Sequence, residues 1–129
     1  MNKRTQKILR DLISVAAVTP KVANYRLAAA IVDKGQIVSL GQSSYKTSPF
    51  QKKYAADEHK IFLHAEIAAI KKALRFYSVD MLRGTTLIVC RVKKNGLGNS
   101  KPCIGCQRAI AEFGIKKVIY TTEDGWETL

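Results

Sequence analysis

Residues 85–122, TTLIVCRVKKNGLGNSKPCIGCQRAIAEFGIKKVIYTT, carry the pattern that decides the fold of this chain. The first part, TTLIVCRV, has apolar side chains on both faces, which is typical of a strand buried inside a sheet. A glycine-containing loop follows, and then a helical segment that starts at Cys103 and closes with Gly114 at a C-cap position. A second apolar run, KKVIYTT, ends the stretch. Strand, helix and strand in this order predict a right-handed parallel crossover.

The rest of the chain predicts elements that complete the sheet. Apolar residues at helical spacing near the N-terminus indicate an amphipathic first helix. Two short apolar runs within residues 27–40, joined by Asp33-Lys34-Gly35, predict a β-hairpin. A long polar loop and another helix follow before residue 85. We therefore expect an α/β fold in which one mixed sheet of four to five strands has helices on both faces, within a single domain of residues 1–129.

Composition limits the classes of function. No apolar run approaches the roughly 20 residues of a membrane span. The basic start of the chain indicates an amphipathic helix rather than a signal peptide, because Arg10 and Asp11 interrupt its apolar part. With three cysteines and no export signal, we expect reduced thiols and a cytoplasmic location. The net charge of +12 is compatible with a mononucleotide phosphate, with a nucleic acid partner and with a merely solvated surface.

Cys103 and Cys106 form a C-x-x-C pair, for which three interpretations exist. A zinc ribbon needs a second such pair, but only Cys90 remains, in the middle of a predicted strand. A redox pair fits a position between a strand and a helix, yet leaves the HAE sequence at residues 64–66 unexplained. The third interpretation is a metal site that His64 completes.

His64 and Cys103 each begin a predicted crossover helix, so both lie at the carboxyl edge of the sheet, where open α/β folds bind their ligands. Cys103 and Cys106 share one helix face. One imidazole and two thiolates bind zinc with an open fourth position, which is typical of a catalytic site. Glu66 follows His64 too closely to be a comfortable second ligand, but it can exchange protons with a metal-bound water.

The two motifs together resemble a known signature. HAE at residues 64–66, followed by PCIGC at residues 102–106, is similar to the H-x-E and P-C-x-x-C motifs of the zinc-dependent cytidine/deoxycytidylate deaminase superfamily. The resemblance covers residues 27–121 in the order of motifs, strands and helices. The segment after the cysteines looks most like deoxycytidylate deaminases, including those of phages. The resemblance implies a three-layer α/β/α fold.

The resemblance also implies a reaction and a site. In such enzymes a metal-bound hydroxide attacks C4 of a cytosine, or C6 of an adenine, and ammonia leaves. The backbone N–H of Ala65 would meet the base carbonyl, and the carbonyl of Ser100 would meet the amino group. Ser43 stands where many relatives carry an asparagine. The residues with implied roles are the zinc ligands His64, Cys103 and Cys106, the proton shuttle Glu66, and the substrate contacts Ala65, Ser43 and Ser100.

Three hypotheses about the function remain open, two of them enzymatic and one not. The first is deamination of a free nucleotide, dCMP to dUMP, by a homo-oligomer, with Lys46 of the long loop on the phosphate. The second is deamination of a cytosine or adenine within single-stranded DNA or RNA, as in tRNA adenosine deaminases, which the charge favours. The third is a nucleic-acid-binding protein with a structural zinc, for which Glu66 would have no use.

Overall fold

The structure is a computed structural model, and it describes residues 3–21, 26–44 and 64–129. Within these ranges no helix combines the length and apolar character needed to traverse a bilayer. The elements, in chain order, are α1 (Lys3–Ala17), β1 (Arg26–Asp33), β2 (Gln36–Gln42), α2 (Ala65–Ala73), α3 (Val79–Leu82), β3 (Thr86–Lys93), β4 (Gly96–Gly98), α4 (Ile104–Glu112), β5 (Lys117–Thr122) and β6 (Gly125–Thr128).

The described strands form one mixed sheet in the order β2-β1-β3-β5-β6, with β4 paired to β3. Strand β1 is antiparallel to β2 and β3, β3 is parallel to β5, and β6 is antiparallel to β5. The predicted mixed sheet is confirmed, but the prediction of four to five strands is wrong, because the sheet has six. The two additional strands, β4 and β6, have three and four residues, too few to carry an alternating apolar pattern.

The alternation of side chains along the strands divides the core into two layers. Ala28 and Ala30 of β1 pack in the layer that contains the apolar face of α1. Ala29 and Ile31 pack in the other layer, together with α2 and α4. Helices therefore cover both faces of the sheet, which confirms the three-layer α/β/α arrangement. Trp126 of β6 packs in the α1 layer, on the face opposite α2 and α4.

The connections bring the starts of α2 and α4 to one edge of the sheet. Strands β2 and β3 run in the same direction because each is antiparallel to β1. Helix α2 lies between β2 and β3 in the chain, and α4 lies between β3 and its parallel neighbour β5. In such crossovers the helix begins at the carboxyl end of the preceding strand and returns along the sheet. His64 and Cys103 precede these two helices.

Strand β2 holds α2 at very short range. A Cβ atom on Gly41 would lie 2.3 Å from the carbonyl oxygen of Ala65 and 2.4 Å from the backbone nitrogen of Ala69. Only a glycine permits this approach, because the atoms it would meet belong to backbone that cannot rotate away. The hydroxyl of Ser39 donates a 2.7 Å hydrogen bond to the carbonyl of Ala69. Together these contacts fix the first two turns of α2, and hence His64, against the sheet.

Candidate active site

His64 is the N-cap residue of α2. Its backbone is extended, with φ −79° and ψ 152°, and its side chain makes no capping hydrogen bond. The carbonyl of His64 accepts the N–H of Ala68 at 2.9 Å, which starts the helical hydrogen bonding. The backbone therefore holds His64 at the start of the helix, and its imidazole is not used as a helix cap.

Cys103 occupies the corresponding N-cap position of α4. Its backbone is also extended, with φ −68° and ψ 168°, and its side chain likewise makes no capping hydrogen bond. Cys106 is the third residue of α4 and is fully buried, whereas Cys103 is half-buried. The carbonyl of Pro102, just before the helix, accepts a 2.8 Å hydrogen bond from the side-chain amide of Gln107. Both sulfur atoms lie on the same side of the helix start, facing His64.

The three side chains converge on one point. The Nδ1 atom of His64 lies 3.7 Å from the Sγ atom of Cys103 and 3.4 Å from that of Cys106. All the ligand atoms lie within 4.8 Å of one another. In a tetrahedral site with Zn–N of about 2.0–2.1 Å and Zn–S of about 2.3 Å, nitrogen and sulfur are separated by about 3.6 Å. The donor set and its spacing fit zinc with three protein ligands.

The electrostatics of the cluster favour a thiolate at Cys103. The Cys106 thiol donates a hydrogen bond to Cys103, and this bond, assisted by His64, lowers the pKa of Cys103. The same bond, together with burial, raises the pKa of Cys106. The shared hydrogen bond thus favours a thiolate at Cys103 and a thiol at Cys106. Binding of a metal cation would displace the proton of the Cys106 thiol, since metal ligation by cysteine requires thiolates.

Glu66 lies beside this cluster in the first turn of α2. The side chain is buried, and its Oε1 atom has no hydrogen-bond partner among the described residues. Burial raises the pKa of the carboxyl group, and His64 opposes that effect. A buried oxygen without a partner is costly unless a ligand or a water satisfies it. Such a carboxyl is suited to taking up and releasing a proton beside the cluster of His64, Cys103 and Cys106.

The other predicted site residues are the proposed substrate contacts, and the structure describes all of them except Lys46. Ala65 is the first residue of α2 and is fully buried, next to both His64 and Glu66. Ser43 follows β2, and its N–H and hydroxyl both donate to the carbonyl of Leu27, at 3.1 and 3.5 Å. The side chain of Ser100 is buried and its hydroxyl donates to a carbonyl of β3. Lys46 lies outside the described residues.

Some supporting residues escape sequence reasoning. Gly41 has no recognisable motif, and only its contact with α2 reveals its role. Thr121 reads as an ordinary strand residue, yet it is fully buried and hydrogen-bonded to the segment that leads into Cys103. Cys90 packs in the α1 layer, where burial raises its pKa to about 12. The mid-strand position of Cys90 in the sequence correctly separates it from the other two cysteines.

The comparisons with known proteins identify the family. Residues 2–122 match the family described as "Cytidine and deoxycytidylate deaminase zinc-binding region". The dCMP deaminase from the cyanophage S-TIM5, in apo form, is 22% identical with a TM-score of 0.67, over 95% of this chain and 86% of that one. The same enzyme in complex with dCMP and dUMP is 21% identical with a TM-score of 0.60, over 93% and 82%.

A cytidine deaminase from Mycobacterium leprae is 18% identical with a TM-score of 0.61, over 98% of this chain and 94% of that one. No curated protein matches the chain. At these identities the structural likeness establishes the fold, and the matched family region establishes the membership. The chain therefore belongs to the cytidine and deoxycytidylate deaminase family, with a zinc-binding region that spans nearly its whole length.

Proposed function

We propose that the protein catalyses the hydrolytic deamination of a cytosine nucleotide, converting dCMP and water to dUMP and ammonia. The observation that carries the proposal is the convergence of His64, Cys103 and Cys106 beside the buried carboxyl of Glu66, in a chain of the deaminase family. One imidazole and two thiolates match a zinc site that keeps a fourth position for the reaction. Zinc in such a site supplies Lewis acidity, which makes water a usable nucleophile near neutral pH.

Glu66 is the proposed proton carrier. Its burial and the lack of a described partner for Oε1 leave it free to bond to the reacting water and to the base. Because burial raises its pKa, the carboxyl can accept a proton near neutral pH more readily than an exposed glutamate. In the reaction it takes a proton from the attacking water and delivers a proton to the departing amino nitrogen.

Backbone groups at the same edge are the proposed contacts to the base. The N–H of Ala65, at the first position of α2, is one of the N–H groups that a helix start leaves without an intrahelical partner. We propose that it donates to the base carbonyl. The carbonyl of Ser100, three residues before Cys103, would accept from the amino group that leaves. Ser43, at the end of β2, is the proposed neighbour of the sugar.

A free mononucleotide is the favoured substrate. The likeness to the cyanophage dCMP deaminase, of which one structure contains dCMP and dUMP, supports this choice. Helix α1, with its basic side chains, packs on the face of the sheet opposite α2 and α4, which is consistent with a small substrate at the cluster. Lys46 is the proposed phosphate contact. The alternative, a base within single-stranded nucleic acid, draws its support from the net charge of +12.

We also propose that residues 1–129 form one deaminase domain that assembles as a homo-oligomer. Several large apolar side chains of the described residues are exposed, and we propose that a second copy of the chain covers some of them. Phe76 is 77% exposed, Ile104 is 61% exposed and Met81 is 52% exposed. Light scattering of the purified protein gives the mass of the assembly, and the mass of a single chain would contradict this part of the proposal.

Ammonia release from a panel of substrates tests the function. The panel contains dCMP, deoxycytidine, adenosine monophosphate and a single-stranded oligonucleotide, each at low and moderate salt. We expect the highest kcat/KM for dCMP, and we expect Lys46→Ala to raise KM for dCMP while changing that for deoxycytidine little. A preference for the oligonucleotide that falls steeply with salt would contradict the mononucleotide. Turnover of none of the four would contradict the deaminase itself.

A further inference from the structure

Two buried hydroxyl groups, those of Ser100 and Thr121, hold the segment that leads from β4 into Cys103. Ser100 is 4% exposed and Thr121 is fully buried. The regular pairing of β3 with β5 ends at Val89 and Tyr120, so Thr121 is the first residue at which the two strands separate. Ser100 fills this opening, and its N–H donates to the carbonyl of Thr121 at 2.9 Å.

The two hydroxyls connect three strands through short hydrogen bonds. The Oγ1 atom of Thr121 donates to the carbonyl of Gly98 in β4 at 2.8 Å and accepts the N–H of Arg91 in β3 at 3.0 Å. The Oγ atom of Ser100 donates to the carbonyl of Val89 at 2.9 Å and accepts the N–H of Thr121 at 2.8 Å. The two hydroxyl oxygens are themselves 2.8 Å apart. Each hydroxyl thus replaces sheet hydrogen bonds that the diverging strands no longer make.

The network fixes one end of a short segment whose other end is fixed by α4. At the N-terminal end of the segment, Ser100 donates hydrogen bonds through both its N–H and its hydroxyl. At the C-terminal end, the carbonyl of Pro102 accepts a 2.8 Å hydrogen bond from the side-chain amide of Gln107. The residue that follows is Cys103. A shift of Thr121 would therefore move the backbone of Ser100 and the start of α4 together.

We infer that Thr121 is a positioning residue for the site: its hydroxyl sets the backbone between Gly98 and Cys103, and so places the Cys103 sulfur and the Ser100 carbonyl. This inference rests on the proposed function for the role of that carbonyl. Thr121 is hydrogen-bonded to Gly98, Arg91 and Ser100, and it acts on the site through Ser100. Groups hydrogen-bonded to metal ligands typically contribute about 10- to 100-fold in metal affinity or activity, and this range sets the scale for a residue that acts through the backbone.

The test compares three substitutions of buried threonines in the full chain. Thr121→Val keeps the shape and removes the hydroxyl, and Thr121→Ser keeps the hydroxyl. Thr85→Val is the matched control, because Thr85 is 1% exposed and its hydroxyl donates to the carbonyl of Leu82 at 2.7 Å, just before β3 begins. Zinc affinity is measured by competition with a chromophoric chelator. The values of kcat and KM for dCMP are measured on the zinc-loaded proteins.

We expect Thr121→Val to lose about 10- to 100-fold in zinc affinity and to lower kcat more than it raises KM. Thr121→Ser should bind zinc like the wild type, and Thr85→Val should lose thermal stability but keep its zinc affinity. If Thr121→Val and Thr85→Val have the same zinc affinity and the same kcat, the inference is wrong.

Two further outcomes are separable. If Thr121→Val does not fold, Ser100→Ala removes the other hydroxyl of the pair, and wild-type zinc affinity in that variant would overturn the inference. If the wild type binds zinc but does not deaminate dCMP, the proposed function fails. The zinc affinities of the same variants still decide whether Thr121 positions the segment.

Discussion

Replacement of Gly41 by alanine tests how the sheet positions His64. The added Cβ would lie 2.3 Å from the carbonyl oxygen of Ala65, 2.4 Å from the nitrogen of Ala69 and 2.9 Å from the carbonyl carbon of Ala68. All three are backbone atoms of α2, so no side chain can rotate to make room. Helix α2 must therefore move away from β2, and His64 at its start must move with it.

The size of the effect follows from these distances. Bringing the shortest contact to 3.0 Å, below which real Cβ contacts are essentially never found, requires about 0.7 Å of separation. Overpacking of this kind costs about 1–3 kcal/mol in the free energy of unfolding. A loss of about 2 kcal/mol lowers the Tm of a chain of this size by roughly 6–12 °C. Metal–ligand distances tolerate only about 0.2 Å, so we also expect zinc affinity to fall by about tenfold or more.

The assay is calorimetry together with chelator competition for zinc, on Gly41→Ala and on a control of similar instability. Gly84→Ala is that control: Gly84 has φ +85°, and an added Cβ would meet nothing within 4 Å. An alanine in this left-handed conformation costs about 1–2 kcal/mol without moving α2. We expect both variants to melt earlier and only Gly41→Ala to lose zinc affinity. Equal zinc affinities in the two variants would show that Gly41 does not position His64.

Three other changes test the site. Glu66→Gln should retain zinc and lower kcat by about 10²-fold or more, and loss of the zinc instead would make Glu66 a ligand. Cys103→Ser should abolish the rise in Tm that zinc produces in the wild type, because metal binding stabilises only the folded chain; an undiminished rise would remove Cys103 from the ligand set. Cys90, with a pKa raised to about 12 by burial, should remain a thiol at pH 8 and resist iodoacetamide until the protein unfolds, as followed by mass spectrometry. Rapid alkylation of Cys90 in the folded protein would contradict its burial.

The elements that the sequence predicts correctly are those with strong local chemistry. The Asp33-Lys34-Gly35 turn is a hairpin signal, and the structure has Lys34 at φ 51° and Gly35 at φ 77°, the two positive values of a type I′ turn. The strand–helix–strand pattern of residues 85–122 has the parallel pairing expected of it. The positions of HAE and PCIGC at two helix starts predict that His64 and Cys103 lie close together, as the structure shows.

The features that the sequence does not predict depend on contacts between distant segments. Strand β4 is Gly-Leu-Gly, which has no strand pattern. It pairs with residues 91–93 of β3, beyond the point where the pairing of β3 with β5 ends. The requirement for glycine at residue 41 exists only because α2 packs on β2. Thr121 has its role because two strands diverge beside it and Ser100 fills the gap. The cluster of His64, Cys103 and Cys106 is easier to predict, since metal chemistry restricts the residue types and spacings that serve.

We propose that a zinc ion held by this chain is required for the deamination of a cytosine nucleotide. The most direct test removes the metal with a chelator, restores zinc in steps, and measures ammonia release from dCMP at each zinc content. We expect activity that is absent without zinc, rises in proportion to bound zinc and reaches its maximum at one zinc per chain. Full activity in the metal-free protein, or none at one zinc per chain, would contradict this proposal.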